Sequence, residues 1–332
     1  MKPKALYILG EFGFNRIYGE AEQADIAALC DVIAPPQTPE SIKEHPELLS
    51  DVEIIFSGWG APVFDADFLG KAQKLKAVFY GAGSVRGCVT PEFWKRGIVL
   101  TSSWVANAVP VSEFALAEIL LSLKLAWRHI SNIKLKKEYA RYEPECPGAY
   151  KSTVALLSLG MIGRKVARLL SNFELKVLAY DPFAKPEDAA ELGVELVSLE
   201  DAFKRADVVS MHTPWLKETE NMITGDLLRS MKPNATFINT SRGAIVDEKA
   251  MCQVLQERPD LTAVLDVTWP EPPAKDSPLL TLENVVLTPH IAGSLANECH
   301  RMAQYAIDEC RRFLNGEKLQ YQITEEMAAR MA

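Results

Sequence analysis

Thr153-Val154-Ala155-Leu156-Leu157-Ser158-Leu159-Gly160-Met161-Ile162-Gly163-Arg164-Lys165-Val166-Ala167-Arg168-Leu169-Leu170, followed by Lys176-Val177-Leu178-Ala179-Tyr180-Asp181, reads as strand, turn, helix and strand. An apolar run opens it, a glycine-bearing turn follows, and an amphipathic pattern carries the helix. The turn matches G-x-G-x-x-G except that Ser158 stands at the first glycine. Gly160 lets the backbone approach a pyrophosphate over the positive helix N-terminus, and Gly163 lets the helix pack closely on the strand. Asp181 falls about twenty residues beyond the glycines, where a ribose-binding acid is expected. It would accept from both ribose hydroxyls and repel a 2′-phosphate, favouring NAD over NADP. Ser158 is expected to hold this turn with a negative φ and to offer its hydroxyl to a phosphate. The alternatives are a turn without cofactor, and Asp181 as a cap or solvated turn acid.

The same alternation extends in both directions. Downstream, strands are predicted at 207–212, 235–240, 262–267 and 284–288, with helices at 162–172, 199–205, 225–230 and 248–257. Continuous apolar strands separated by helices indicate a parallel sheet covered on both faces, hence a doubly wound nucleotide-binding domain. Upstream, strand-like runs at 5–10, 52–60, 75–83 and 97–103 and a helix at 19–30 make a smaller α/β domain. A long helix is expected over 111–130, then a polar arm over 131–150 with a turn at Glu145-Cys146-Pro147-Gly148. A final helix over 295–315 precedes a polar tail.

Three strand ends carry the chemistry. They are Asn239-Thr240-Ser241-Arg242-Gly243, Asp266-Val267-Thr268-Trp269-Pro270-Glu271-Pro272 and Thr288-Pro289-His290-Ile291-Ala292-Gly293. An arginine, a glutamate and a histidine at carboxyl ends of strands can face one crevice. That trio suits acid–base work on a carboxylate-bearing substrate. Of the five histidines, His45, His129 and His300 lie outside any motif, and His212 ends a strand where Thr213 and Pro214 are expected to line the cleft.

Composition bounds the reading. A chain of 332 residues holds about two domains. Its net charge of -8 argues against a nucleic-acid partner. No segment approaches the roughly 20 apolar residues of a membrane span, and the start lacks a signal-peptide pattern. Cys30, Cys88, Cys146, Cys252, Cys299 and Cys310 show no metal-binding or disulfide spacing, so free thiols, no metal and a cytoplasmic location are expected.

Together these motifs resemble the D-isomer-specific 2-hydroxyacid dehydrogenases, the family of phosphoglycerate dehydrogenase and glyoxylate/hydroxypyruvate reductase. The resemblance runs from about 75 to 313; the first seventy residues match only in general character. It implies a flavodoxin-like substrate domain (1–103 plus 294–332), a Rossmann NAD-binding domain (104–293), and an active-site cleft between them. It also implies a homodimer, with the helix and arm over about 111–150 as interface.

The resemblance assigns the proton transfer to His290, and to Glu271 the fixing of its tautomer and the favouring of its charged form. The substrate carboxylate falls to Arg242 and to the backbone of Gly81, Ala82, Gly83 and Ser84. Cofactor contacts fall to Ser158, Gly160, Met161, Ile162, Gly163, Asp181, Thr213, Pro214, Thr240, Ser241, Asp266 and Gly293, with Asp266 orienting the nicotinamide. The implied reaction is hydride transfer between NAD(H) and C2 of a 2-ketoacid or D-2-hydroxyacid.

A formate dehydrogenase would carry glutamine where Glu271 stands; a phosphite-oxidising enzyme and a non-catalytic NAD-sensing co-repressor remain as rivals. Two features depart from the family. Val85-Arg86 stand where an aspartate is usual after Gly83-Ser84, so Arg86 either serves a polyanionic substrate or is a solvated surface cation. Trp59, Trp104, Trp215 and Trp269 either stack on an extended substrate or exclude water. Neither the particular substrate nor the physiological direction follows from the sequence.

Overall fold

The computed structural model describes residues 1–137, 139 and 146–331. The chain divides into two compact units, Met1–Asn107 with Ser294–Met331, and Ala108–Gly293. The chain passes from one to the other inside the Trp104–Ser122 helix, and again at Gly293/Ser294.

In the first unit, β1 (Lys4–Tyr7), β2 (Asp31–Val32), β3 (Ile54–Ser57), β4 (Ala77–Tyr80) and β5 (Val99–Ser102) form one sheet. Its order is β2-β1-β3-β4-β5 with every pair parallel, which is flavodoxin-like. β3 and β4 are buried at every residue, as strands covered on both faces must be. The Asn297–Asn315 helix supplies Met302, Ala303, Ala306, Ile307 and Cys310 to this core. That helix also brings the Cys310 thiol to 3.8 Å from that of Cys30, a proximity no sequence spacing announced. The tail after it is more than a polar extension. Gln322 bridges to Thr101, Ile323 and Ala328 join the core, and Glu325–Arg330 is helical with Thr324 accepting from the Met327 amide. Two apolar anchors in so short a segment are too few to show a period.

The second unit holds β6 (Thr153–Leu157), β7 (Lys176–Tyr180), β8 (Glu195–Leu196), β9 (Val208–Met211), β10 (Thr236–Asn239), β11 (Thr262–Leu265) and β12 (Val285–Leu287). Their order is β12-β11-β10-β9-β6-β7-β8, all parallel. The chain winds outward from β6 through β7 to β8, then returns to the other side of β6 as β9. The reversal makes the carboxyl ends of β6 and β9 a topological switch point, the place where open α/β sheets bind ligands. The two-residue β8 and the Pro186–Glu191 helix are too short to register as patterns.

The expected helix over 111–130 is in fact two, Trp104–Ser122 and Ala126–Lys136. Leu125, with φ of 49°, breaks the α-helical path between them. The second helix runs on through Ser131–Lys136, where a polar arm was expected; Glu145 of the predicted turn lies outside the described residues. Because Trp104–Ser122 starts upstream of the apolar pattern, it is 19 residues long with a mean hydropathy of 1.4, enough by length and composition to cross a membrane. The sequence expectation on this point was therefore too restrictive. Half of it is buried, and Ala115 and Ile119 pack fully against Val154, Leu156 and Val166.

Candidate active site

The turn after β6 is built as a cradle. Gly160 caps the Met161–Leu170 helix without any side chain on the first-turn amides, which leaves an N-terminus suited to an anion. A Cβ placed on Gly160 would meet nothing closer than the Ser158 hydroxyl at 3.7 Å, so the space above it is open. Gly163 is different: a Cβ there would fall 2.0 Å from the Ser158 carbonyl oxygen. Its job is the expected close packing of helix on strand. Met161 and Ile162 open the helix half-buried.

Ser158 contradicts its expectation. Its φ is 79°, because its N–H donates to Tyr180 O at 2.7 Å while its carbonyl lies against Gly163. A left-handed residue with a side chain costs about 1–2 kcal/mol. Its hydroxyl points to Asp181 Oδ2 at 3.3 Å. That carboxylate also accepts the Leu159 amide on Oδ2 at 2.7 Å, and the Phe183 and Ala184 amides on Oδ1 at 2.8 and 3.1 Å. Asp181 thus fastens the turn to the end of β7.

At the adjoining strand ends, Ser241 donates its hydroxyl to Thr213 O at 2.8 Å and so ties the loop after β10 to that after β9. Thr240 Oγ1 and His212 Nδ1 are buried without a partner among the described residues. Buried orphans of this kind are rare and ask for an explanation. With the open space over Gly160 and the uncapped helix, they fit a dinucleotide lying across the β6/β9 switch point. Pro214 is half-buried beside Thr213, and Gly293 closes the unit.

The trio assembles at the ends of β10, β11 and β12. His290 Nδ1 lies 2.6 Å from Glu271 Oε1. A carboxylate only accepts, so Nδ1 carries the hydrogen and Nε2 is left to face the reaction. His290 has φ of 55° and donates its amide to Asp266 O at 3.0 Å. Asp266 is buried, with its carboxylate accepting the Thr288 hydroxyl and the Ile291 and Ala292 amides. The resemblance implied that Asp266 orients the nicotinamide; its hydrogen bonds here hold the histidine loop.

Arg242 donates to Ser241 O at 2.7 Å, and no carboxylate among the described residues forms an ion pair with it. Burial pushes its guanidinium below the ordinary arginine value, and the charge of Glu271 works against that shift. A desolvated cation without an ion-pair partner is a site for an anion.

Two residues that support the trio carry no sequence signal of that role. A Cβ at Gly243 would fall 2.1 Å from the Thr268 carbonyl carbon, so the loops of Arg242 and Glu271 meet only because this residue is glycine. Glu248 accepts the Trp269 amide at 2.8 Å and steadies the loop that carries Glu271. Trp269 and Trp215 meet edge to face at 4.9 Å. In the first unit, the Gly81–Ser84 loop follows β4, with the Ser102 hydroxyl donating to the carbonyls of Ala82 and Gly83. Gly81 spends its own N–H on Ser57 O, which corrects its place among the expected donors. Arg86 is exposed.

Comparison with known proteins agrees with this geometry. Residues 119–292 match the family model of the D-isomer specific 2-hydroxyacid dehydrogenase NAD binding domain. A glyoxylate reductase from Korarchaeum cryptofilum is 34% identical over 284 residues, covering 85% of each chain. A D-3-phosphoglycerate dehydrogenase from Methanocaldococcus jannaschii is 30% identical over 82% of this chain, which spans 51% of that relative's length. The apo D-mandelate dehydrogenase of Rhodotorula graminis shares the fold, with a TM-score of 0.80 and 24% identity over 98% of both chains. The chain therefore belongs to the D-isomer specific 2-hydroxyacid dehydrogenases, NAD-dependent oxidoreductases that move a hydride between NAD(H) and C2 of a 2-hydroxyacid or 2-ketoacid.

Proposed function

We propose that this chain is an NADH-dependent 2-ketoacid reductase, reversible to the D-2-hydroxyacid, in which His290 moves the proton and Arg242 holds the substrate carboxylate. The observation that carries the reading is the 2.6 Å His290–Glu271 contact beside a desolvated Arg242. NADH supplies the hydride when bound. His290 Nε2 gives its proton to the carbonyl oxygen as the alkoxide forms, and Glu271 stabilises the imidazolium in the reverse direction. The planar fork of Arg242 binds the carboxylate and helps polarise the carbonyl. Ala82, Gly83 and Ser84 are assigned the remaining amide donors to substrate. Asp181 is assigned the adenosine ribose, which disfavours a 2′-phosphate. The working form is assigned as a homodimer.

NADH oxidation measured against glyoxylate, hydroxypyruvate, pyruvate, phenylpyruvate and phosphohydroxypyruvate, with NADPH in parallel, tests the reading. Turnover with at least one ketoacid and a higher kcat/KM with NADH are expected. NADH binding with no turnover on any of them would contradict it.

A further inference from the structure

We propose that the Ser158 hydroxyl is a place-holder for a ribose hydroxyl at Asp181, and so sets how tightly this chain takes NADH over NADPH. The inference rests on the assignment of Asp181 to the ribose. A carboxylate offers about four acceptor positions. Here all four are taken, by the amides of Leu159, Phe183 and Ala184 and by Ser158 Oγ. The three amides belong to a backbone fixed by the turn itself. The serine contact, at 3.3 Å, is the longest of the four and the only one a single χ rotation can release. Ser158 Oγ also borders the open side of the turn, 3.7 Å from where a Cβ on Gly160 would lie. Asp181 is already oriented by three amides, so the serine adds occupancy rather than aim.

A ribose hydroxyl must therefore displace an intramolecular donor before it reaches Oδ2. Ser158→Ala removes the hydroxyl and keeps a side chain at φ of 79°; Ser158→Gly removes both. Fluorescence titration of the apo full-length protein should show NADH binding tighter by about two- to fivefold in both variants, the scale of one ordinary hydrogen bond. NADPH affinity should stay at its wild-type value, because a 2′-phosphate gains nothing from a freed carboxylate position. Thermal unfolding separates the two effects, with Ser158→Gly melting higher than Ser158→Ala. NADH affinity unchanged or weaker in Ser158→Ala overturns the place-holder. Asp181→Ala distinguishes the underlying reading: if it leaves NADH affinity unchanged, the ribose assignment itself has failed.

Discussion

His212 is a buried imidazole whose Nε2 sits 3.1 Å from the Ser210 hydroxyl and whose Nδ1 has no partner among the described residues. Burial pushes it down to about 4. Its folded value lies below the ordinary 6.5, so between those pH values the unfolded chain binds a proton that the fold refuses. This contribution, on the order of 3 kcal/mol, is complete above about pH 6.5 and fades as pH falls towards the folded value. Urea unfolding at pH 7 and pH 5 should show wild type losing more stability than His212→Gln; equal losses would contradict the account. The sequence placed His212 at a strand end but gave no sign of its missing partner. Arg242, Glu271 and His290 were more legible, because each sits in a short stretch that closes an apolar β-branched run. The left-handed φ of Ser158 was not legible, since Tyr180 O at the end of the next strand fixes it from outside the motif, together with the close approach of Gly163.

Among the elements, the central strands of the second unit, β6, β9, β10 and β11, were readable because a strand buried on both faces is written as an unbroken apolar run. Leu199–Arg205 and Glu248–Glu257 match their predicted bounds for a related reason, each starting at a side-chain cap, Ser198 and Asp247. The break at Leu125 escaped because the apolar spacing continues across it. The Ala126–Lys136 helix leaves Ile130, Ile133 and Leu135 exposed, at 43%, 39% and 59%, with Leu121 at 39% on the helix before it. Exposed apolar side chains on two successive helices suit burial against a second copy. Sedimentation velocity should find wild type as a dimer and Ile133→Asp/Leu135→Asp as a folded monomer. A monomeric wild type, or a variant that stays dimeric, would contradict that assignment.

At the scale of the whole molecule, two parallel sheets each present loops at the carboxyl ends of their strands, and the second unit carries both the Gly160 turn and the loops of Arg242, Glu271 and His290. Gly160, Gly163 and Gly243 let backbones meet or a ligand approach, and Asp181 and Asp266 fasten the two loops that matter most. We assign the proton transfer to His290, held by Glu271. The most direct test is His290→Gln, comparing ketoacid turnover with NADH binding by fluorescence titration. In that variant kcat should fall by about 10²–10⁴-fold while NADH affinity stays at the wild-type value. Wild-type kcat in His290→Gln would contradict it.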